Sequence, residues 1–398
     1  MQAFPLRPFD RDTANFGGVS FLFRRFRFSE ALPFFLLAGG LFPSPTLLPV
    51  LVTLAALALL PLRLLLGKGT HPLRCEVCPR GIPLLLLWAA LFALSSLGGS
   101  EEGILRALLS LSPLLFAFSS PDGCLQAGAL ATALAGALAV GEKLFGKAAA
   151  GWMDLSLFSA LGGRAAFPFG NPNLLSAFLL LGLPLCLALA EERPRFGGAL
   201  SLFAFGGILA SLSRTAMLGA GCLLLFWAAR RTKHPSRAAA VSVLFASLLP
   251  ASLWHRALSV FSRGDTSGLY RLRLWQSLLR LPPLGALFGL GAGRDALFSA
   301  LAPVMSAGLE QAEHTHSLYF GLLFSLGAGG LITFLLLAGS LLLSLRRGGR
   351  EARAVSLSLL SALFLGLSDD LFYDRRLFLW VLWLMGLGLF LKRKEARA

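Results

Sequence analysis

Long apolar runs recur along this chain from residue 31 to its end, with mostly short spacers between them. Many approach the roughly 20 residues that a helix needs to cross a hydrocarbon core. One water-soluble core could not bury that many apolar faces. The composition agrees, because 56% of the 398 residues are hydrophobic and only 14% are charged, where a soluble domain is about a quarter charged. Mean hydropathy is +0.73. The chain reads as a single integral membrane domain, 1–398, and as all-α, because a helix satisfies its own backbone hydrogen bonds in lipid.

The runs predict helices near 30–44, 46–66, 81–98, 103–120, 122–141 and 172–190. The second half predicts 196–212, 214–230, 238–254, 317–345, 353–368 and 376–392. The expectation is therefore a polytopic transmembrane helical bundle of about 12 spans. Charge placement fixes its orientation. With the N-terminus inside, the inner segments collect the larger share of the 36 basic residues: the N-terminal arginines and the clusters at 63–80, 193–195, 230–237, 346–353 and 392–397. Cytoplasmic loops carry such an excess of Lys and Arg, so both termini are expected inside.

The net charge of +16 sits in short clusters between apolar runs rather than in a continuous basic stripe, so nucleic acid is not an expected partner. The segment 1–29 lacks a cleavable signal pattern. Its F-L-F-R-R-F-R-F at 21–28 suits the cytoplasmic interface. The five cysteines supply no disulfide framework. Cys75 and Cys78 make one C-x-x-C beside His71, without the fourth ligand that a structural zinc site uses.

Two outer segments exceed simple turns. One, 142–171, ends in F-P-F-G-N-P-N. The other, 255–315, is a long extracytoplasmic loop between the ninth and tenth spans, and loops of that size are usually functional or disordered. Trp275, several leucines and P-P-L-G-A-L-F-G-L-G-A-G argue for order, with short helices inside the loop. Residues 270–281 carry apolar and basic positions at helical spacing, as an interfacial helix does. The span at 317–345 is unusually long, and G-A-G-G at 327–330 offers a kink.

Candidate chemistry lies at the outer ends of the helices, where ionisable groups are costly unless used. Arg214 interrupts two apolar runs in S-L-S-R-T-A at 211–216. Either it snorkels to headgroups, or its planar guanidinium meets an anion such as phosphate. Arg263, Arg271 and Arg273 precede or lie on the loop helix, where solvating one face is the plain alternative. At helical spacing Arg271 shares a face with Trp275 and Arg273 does not. His314 and His316, in E-H-T-H-S-L-Y-F, stand where the loop re-enters the membrane. Imidazole suits proton transfer near neutral pH, although a His pair at an interface is ordinary. Glu310 and Glu313 are nearby, but H-x-H alone does not make a metal site. The closest approach to an acidic metal motif is Ser368-Asp369-Asp370 with Asp374.

In order, F-G-N-P-N at 169–173, S-L-S-R-T-A, R-L-R-L-W at 271–275 with P-P-L-G-A-L-F-G-L-G-A-G, and H-T-H-S-L-Y-F-G-L-L-F-S-L-G-A-G-G-L at 314–331 are similar to the bacterial O-antigen ligase and polymerase superfamily. The resemblance spans roughly 165–390. His316-Ser317 stands where that family usually has His followed by Asn, and His314 is additional.

The resemblance implies a GT-C-like membrane glycosyltransferase of the bacterial inner membrane with its site facing the periplasm. Its donor would be a glycan on undecaprenyl diphosphate, and its acceptor a hydroxyl of lipid A core or of another carrier-linked glycan. Arg214 and Arg271 would hold the diphosphate and His316 would be the base or would position the acceptor, with no metal or cofactor. Arg273, Asn173, His314 and Arg263 would complete substrate binding. A ligase is preferred, with an O-antigen or exopolysaccharide polymerase as the alternative. From another class, a lipid or solute transporter would place its charges near the midplane in two related halves.

Overall fold

The computed structural model describes residues 80–95, 101–114, 121–146, 162–231, 266–304, 314–346, 348–389 and 391. The helices expected at 30–44, 46–66 and 238–254, the basic N-terminal segment, the C-x-x-C pair and Arg263 lie outside the described residues. Every regular element among the described residues is helical. In chain order these are α1 (Gly81–Ser95), α2 (Glu101–Ser110), α3 (Pro121–Phe145), α4 (Pro172–Glu192), α5 (Pro194–Ser211) and α6 (Arg214–Arg231). The loop region gives α7 (Thr266–Leu278), α8 (Pro283–Phe288) and α9 (Arg294–Leu301). Then come α10 (Leu318–Leu345), α11 (Arg350–Leu365) and α12 (Arg375–Leu389).

Three of the described helices are long and apolar enough to cross a membrane: Gly123–Phe145, Pro172–Glu192 and Leu318–Leu345. The span expected at 103–120 is different. Its helix stops at Ser110, where Ser110 Oγ turns back to Arg106 O at 2.7 Å. Pro113 follows, and proline disfavours helix in the residue before it.

The bundle is built around α4 and α12, which are apolar on all sides and buried almost throughout. Their rings interlock: Trp380 stacks on Trp383 and on Phe178, each at 4.7 Å between centroids. Where α3, α4 and α5 cross, small residues let backbones touch, as in membrane helix pairs generally. A Cβ on Gly207 would stand 2.7 Å from Gly136 Cα, and one on Gly182 would overlap the Thr132 side chain. Leucines such as Leu202, Leu218 and Leu343 stay on the outside, as expected of a surface meant for acyl chains. At one end of the bundle Arg350 and Arg353 reach Glu192 and Glu191. The opposite end gathers the start of α4, the α5–α6 turn, the start of α10 and the α11–α12 connection.

The loop elements form a smaller core of Leu274, Leu278, Leu281, Leu297 and Leu301 around Phe324 of α10. Gly327 breaks α10 with φ 71° and ψ −177°, a conformation open essentially to glycine. The break frees carbonyls, and the loop takes them: Leu290 N–H donates to Phe324 O at 2.7 Å and Gly291 N–H to Ser325 O at 3.3 Å. Contact is so close that a Cβ on Gly289 would lie 2.7 Å from Ser325 O, and one on Gly327 would run into Leu287 O. The G-L-G-A-G and G-A-G-G motifs are thus two halves of one backbone clamp.

Gly327→Ala should therefore destabilise the protein by at least about 1–3 kcal/mol, from conformational strain before any steric term. Thermal unfolding in detergent measures it; an unchanged midpoint would remove the clamp from the account.

Candidate functional site at the helix ends

The S-L-S-R-T-A turn reverses the chain within three residues. Leu212 adopts φ 53° to do so, an uncommon state for a branched side chain. Ser211 Oγ accepts from Ser213 N–H at 3.2 Å and so braces the turn. Arg214 then opens α6, half-buried. Next to it, Thr215 Oγ1 accepts a hydrogen bond from Ser368 Oγ at 3.1 Å.

Arg164 sits against the same turn. Its Nε donates to Ser211 O at 3.0 Å and its terminal nitrogen to Asn173 Oδ1 at 2.9 Å. This explains the two asparagines of F-G-N-P-N. Asn171 caps α4 by accepting from Asn173 N–H, and Asn173 holds Arg164. The preceding stretch, which contains a cis Phe167–Pro168 bond, is fixed from both sides. Glu142 Oε2 accepts from Ala166 N–H and Phe167 N–H. The buried Arg376, held by Asp374, donates to Pro168 O and Phe169 O.

The loop contributes the other half. On α7, Arg271 reaches Asp369 at 3.4 Å, and Trp275 Nε1 donates to Thr315 O at 2.9 Å. Arg273 is exposed on another face. His316 has φ 54°, a sparsely populated state of the kind that clusters at functional sites. Its ring stands edge-on to Tyr270 at 5.8 Å and 4.0 Å from the His314 ring. His314 in turn stacks on Tyr373 at 4.6 Å. Below them, the Leu318 N–H donates to both Gly366 O and Asp369 O, and the Thr315 hydroxyl lies 3.1 Å from Asp370 Oδ2.

Burial dominates the electrostatics. It pushes the Asp369 carboxyl up to about 6, with Arg271 opposing the rise and Asp370 adding to it. Asp370 is raised by the same cause, against the pull of His314 and Arg106. His316 is driven down to about 3 by burial, then by its neighbours His314 and Arg271. Its imidazole is thus neutral at ordinary pH and keeps a lone pair to accept with. A cationic arginine, a neutral imidazole and carboxylates of weakened acidity share one helix-end cleft.

Of the residues singled out from sequence, His314, His316 and Arg271 come together. Arg214 joins them through Thr215 and Ser368, and Asn173 through Arg164; Arg273 stays apart. Sequence reasoning missed Arg164, although it is a lone arginine before F-P-F-G-N-P-N and meets the criterion that found Arg214. In the sequence, Asp369 and Asp370 read only as an incomplete acidic metal motif. Their true partners lie 98 and 55 residues away and leave no local pattern.

Residues 199–335 match the family model described as O-antigen ligase. The match supports membership of the O-antigen ligase and polymerase superfamily. Those proteins are membrane glycosyltransferase-like enzymes. A comparison with curated proteins returns no match. The O-antigen ligase region runs from α5 to α10, so it includes the Arg214 turn, Arg271, His316 and the Gly327 clamp. Arg164 and Asp369 lie outside it and reach the site through the fold.

The titration has a definite sign. Asp369 is charged above pH about 6 and neutral below it, whereas His316 keeps its neutral form until about 3. Activity should therefore fall on the acid side with an apparent pKa near 6, as Arg271 loses its counter-charge. Asp369→Asn should remove the part of that limb near 6 from a pH–rate profile; an unchanged limb would belong to another group, such as the neighbouring Asp370.

Proposed function

We propose that this chain is an O-antigen ligase that moves a glycan from undecaprenyl diphosphate to a hydroxyl of lipid A core on the periplasmic face of the inner membrane. The observation that supports this best is the nearness of Arg271, held by Asp369, to the strained His316, at the same bundle end as the Arg214 turn and within the family-matched region. In this reading the chain makes about 12 spans with both termini inside and a GT-C-like plan, and the 255–315 loop faces the periplasm.

The donor carries its own activation, because a diphosphate departs as a stabilised anion. The protein must offset that charge and orient the acceptor. Arg271 touches Asp369 through one terminal nitrogen at 3.4 Å; a guanidinium has five N–H donors, and the fork matches phosphate oxygens. Arg214, at the start of α6, would be the second cation on the diphosphate, where the helix dipole also favours an anion. His316 accepts or positions the acceptor hydroxyl. Both arginines supply positive charge in place of a metal. The placement of charges at helix ends, rather than near mid-helix in two related halves, speaks against a transporter.

Arg214→Ala and His316→Ala should each lower transfer about 100-fold or more, with membrane insertion retained. Arg271→Ala should cost more than Arg273→Ala. The assay uses purified protein with carrier-linked glycan, offered either lipid A core or a second carrier-linked repeat. Transfer to the repeat alone would make the chain a polymerase. Chelation by EDTA should leave the rate unchanged; loss with rescue by a divalent ion would overturn the role given to the arginines.

A further inference from the structure

A desolvated imidazole is a weak base, so a proton that it takes up needs somewhere to go at once. His316 is in that position, buried and with Nδ1 lacking a hydrogen-bond partner among the described residues. Arg271 on one side of it repels an added positive charge. His314 stands beside His316, its ring centre 4.0 Å away and itself stacked on Tyr373. Asp370 shares a cavity wall and an electrostatic interaction with His314, and is held by Thr315 Oγ1 and by the Phe372 N–H at 3.2 Å.

From this juxtaposition we infer that His314 and Asp370 form a relay that carries the acceptor's proton away from His316; the inference rests on the glycosyl-transfer reading above. As the acceptor oxygen bonds to the anomeric carbon, the bond from that carbon to the diphosphate oxygen breaks and the electron pair leaves with the diphosphate. The acceptor's proton passes to His316, then to His314, and then to the Asp370 carboxylate, which becomes the neutral acid. From there it leaves to water; all three groups regain their starting charges, and the two imidazoles, left as the opposite tautomers, reset by exchange of their N–H protons.

The surroundings fit this route. His314, Asp370, Arg106 and Tyr373 line a cavity of about 50 Å³, against roughly 10–15 Å³ of such space for one water. The charged and titratable groups facing Asp370 are His314, Arg106 and Asp369. Glu102 and Arg375 lie behind Arg106. Those facing His316 are His314, Arg271 and Tyr270. Arg106 favours the charged form of Asp370 before the proton arrives, whereas burial favours the neutral form that the relay creates. His314 and Asp370 act through His316 and need not touch substrate.

The test uses the full chain, undecaprenyl-diphosphate-linked glycan and lipid A core. His314→Gln and Asp370→Asn should each lower kcat about tenfold or more while donor KM stays within about twofold, and added imidazole should restore turnover to His314→Gln as a surrogate carrier. Unchanged kcat in His314→Gln overturns the relay. So does a loss of kcat that comes with a raised KM and no response to imidazole, which is what a packing role gives. If Asp370→Asn fails to accumulate in the membrane, His314→Gln decides alone. Absence of transfer by the unaltered protein to either the core or a carrier-linked repeat would overturn the glycosyl-transfer reading itself, and it is seen before any variant is made.

Discussion

The pairing of Arg271 with Asp369 is the contact on which the helix-end cleft depends. An arginine on a loop helix and a carboxylate between two core helices are each costly to bury alone, and together they fix the loop to the bundle. The three residues of Ser368-Asp369-Asp370 divide the work. Ser368 reaches the α6 start, Asp369 the loop helix, and Asp370 the threonine between the two histidines. Three segments distant in sequence are registered against one tight connection.

That connection also sets the acid–base character of the site. Carboxylates facing arginines would ordinarily be strong acids, but burial outweighs the attraction and keeps Asp369 and Asp370 weaker acids than usual. The same desolvation keeps His316 neutral. A neutral imidazole beside a fixed cation can serve an uncharged hydroxyl and an anionic leaving group at once, without either function titrating the other.

Much of this was legible in the sequence. The all-helical bundle follows from apolar runs, and the bounds of α3, α4, α5, α6 and α10 fall within a few residues of those expected, because the ends of an apolar run nearly suffice to mark the ends of such a helix. The break in α10 was readable from G-A-G-G, and the facing of Arg271 and Trp275 from helical spacing. The short α2 was not, because an apolar run continues past Ser112-Pro113 and hydropathy outvoted the proline. Arg164 and the Asp369–Asp370 pair were beyond reach for another reason. Their roles are defined by contacts across 47, 98 and 55 residues, and such pairings have no periodicity to read. Only two non-glycine residues among the described ones have positive φ, Leu212 and His316. Both fall in motifs picked out by their charges, so backbone strain and chemistry mark the same places independently.

The clamp between Gly289 and Gly327 has a consequence for the chain as a polymer. Without it, the stretch from 255 to 315 would be a longer tether, held by side chains alone at Arg271–Asp369 and around Phe324. Pinned near its middle by main-chain hydrogen bonds, it becomes two shorter tethers, and closure of each costs less entropy than the freedom lost by ordering one large ring. Arg271 lies on the first tether and His316 at the end of the second. Each is therefore positioned by a segment about half as long as the loop appears to be, and the pin that shortens them is made of backbone, so the side chains around it remain free to serve other ends.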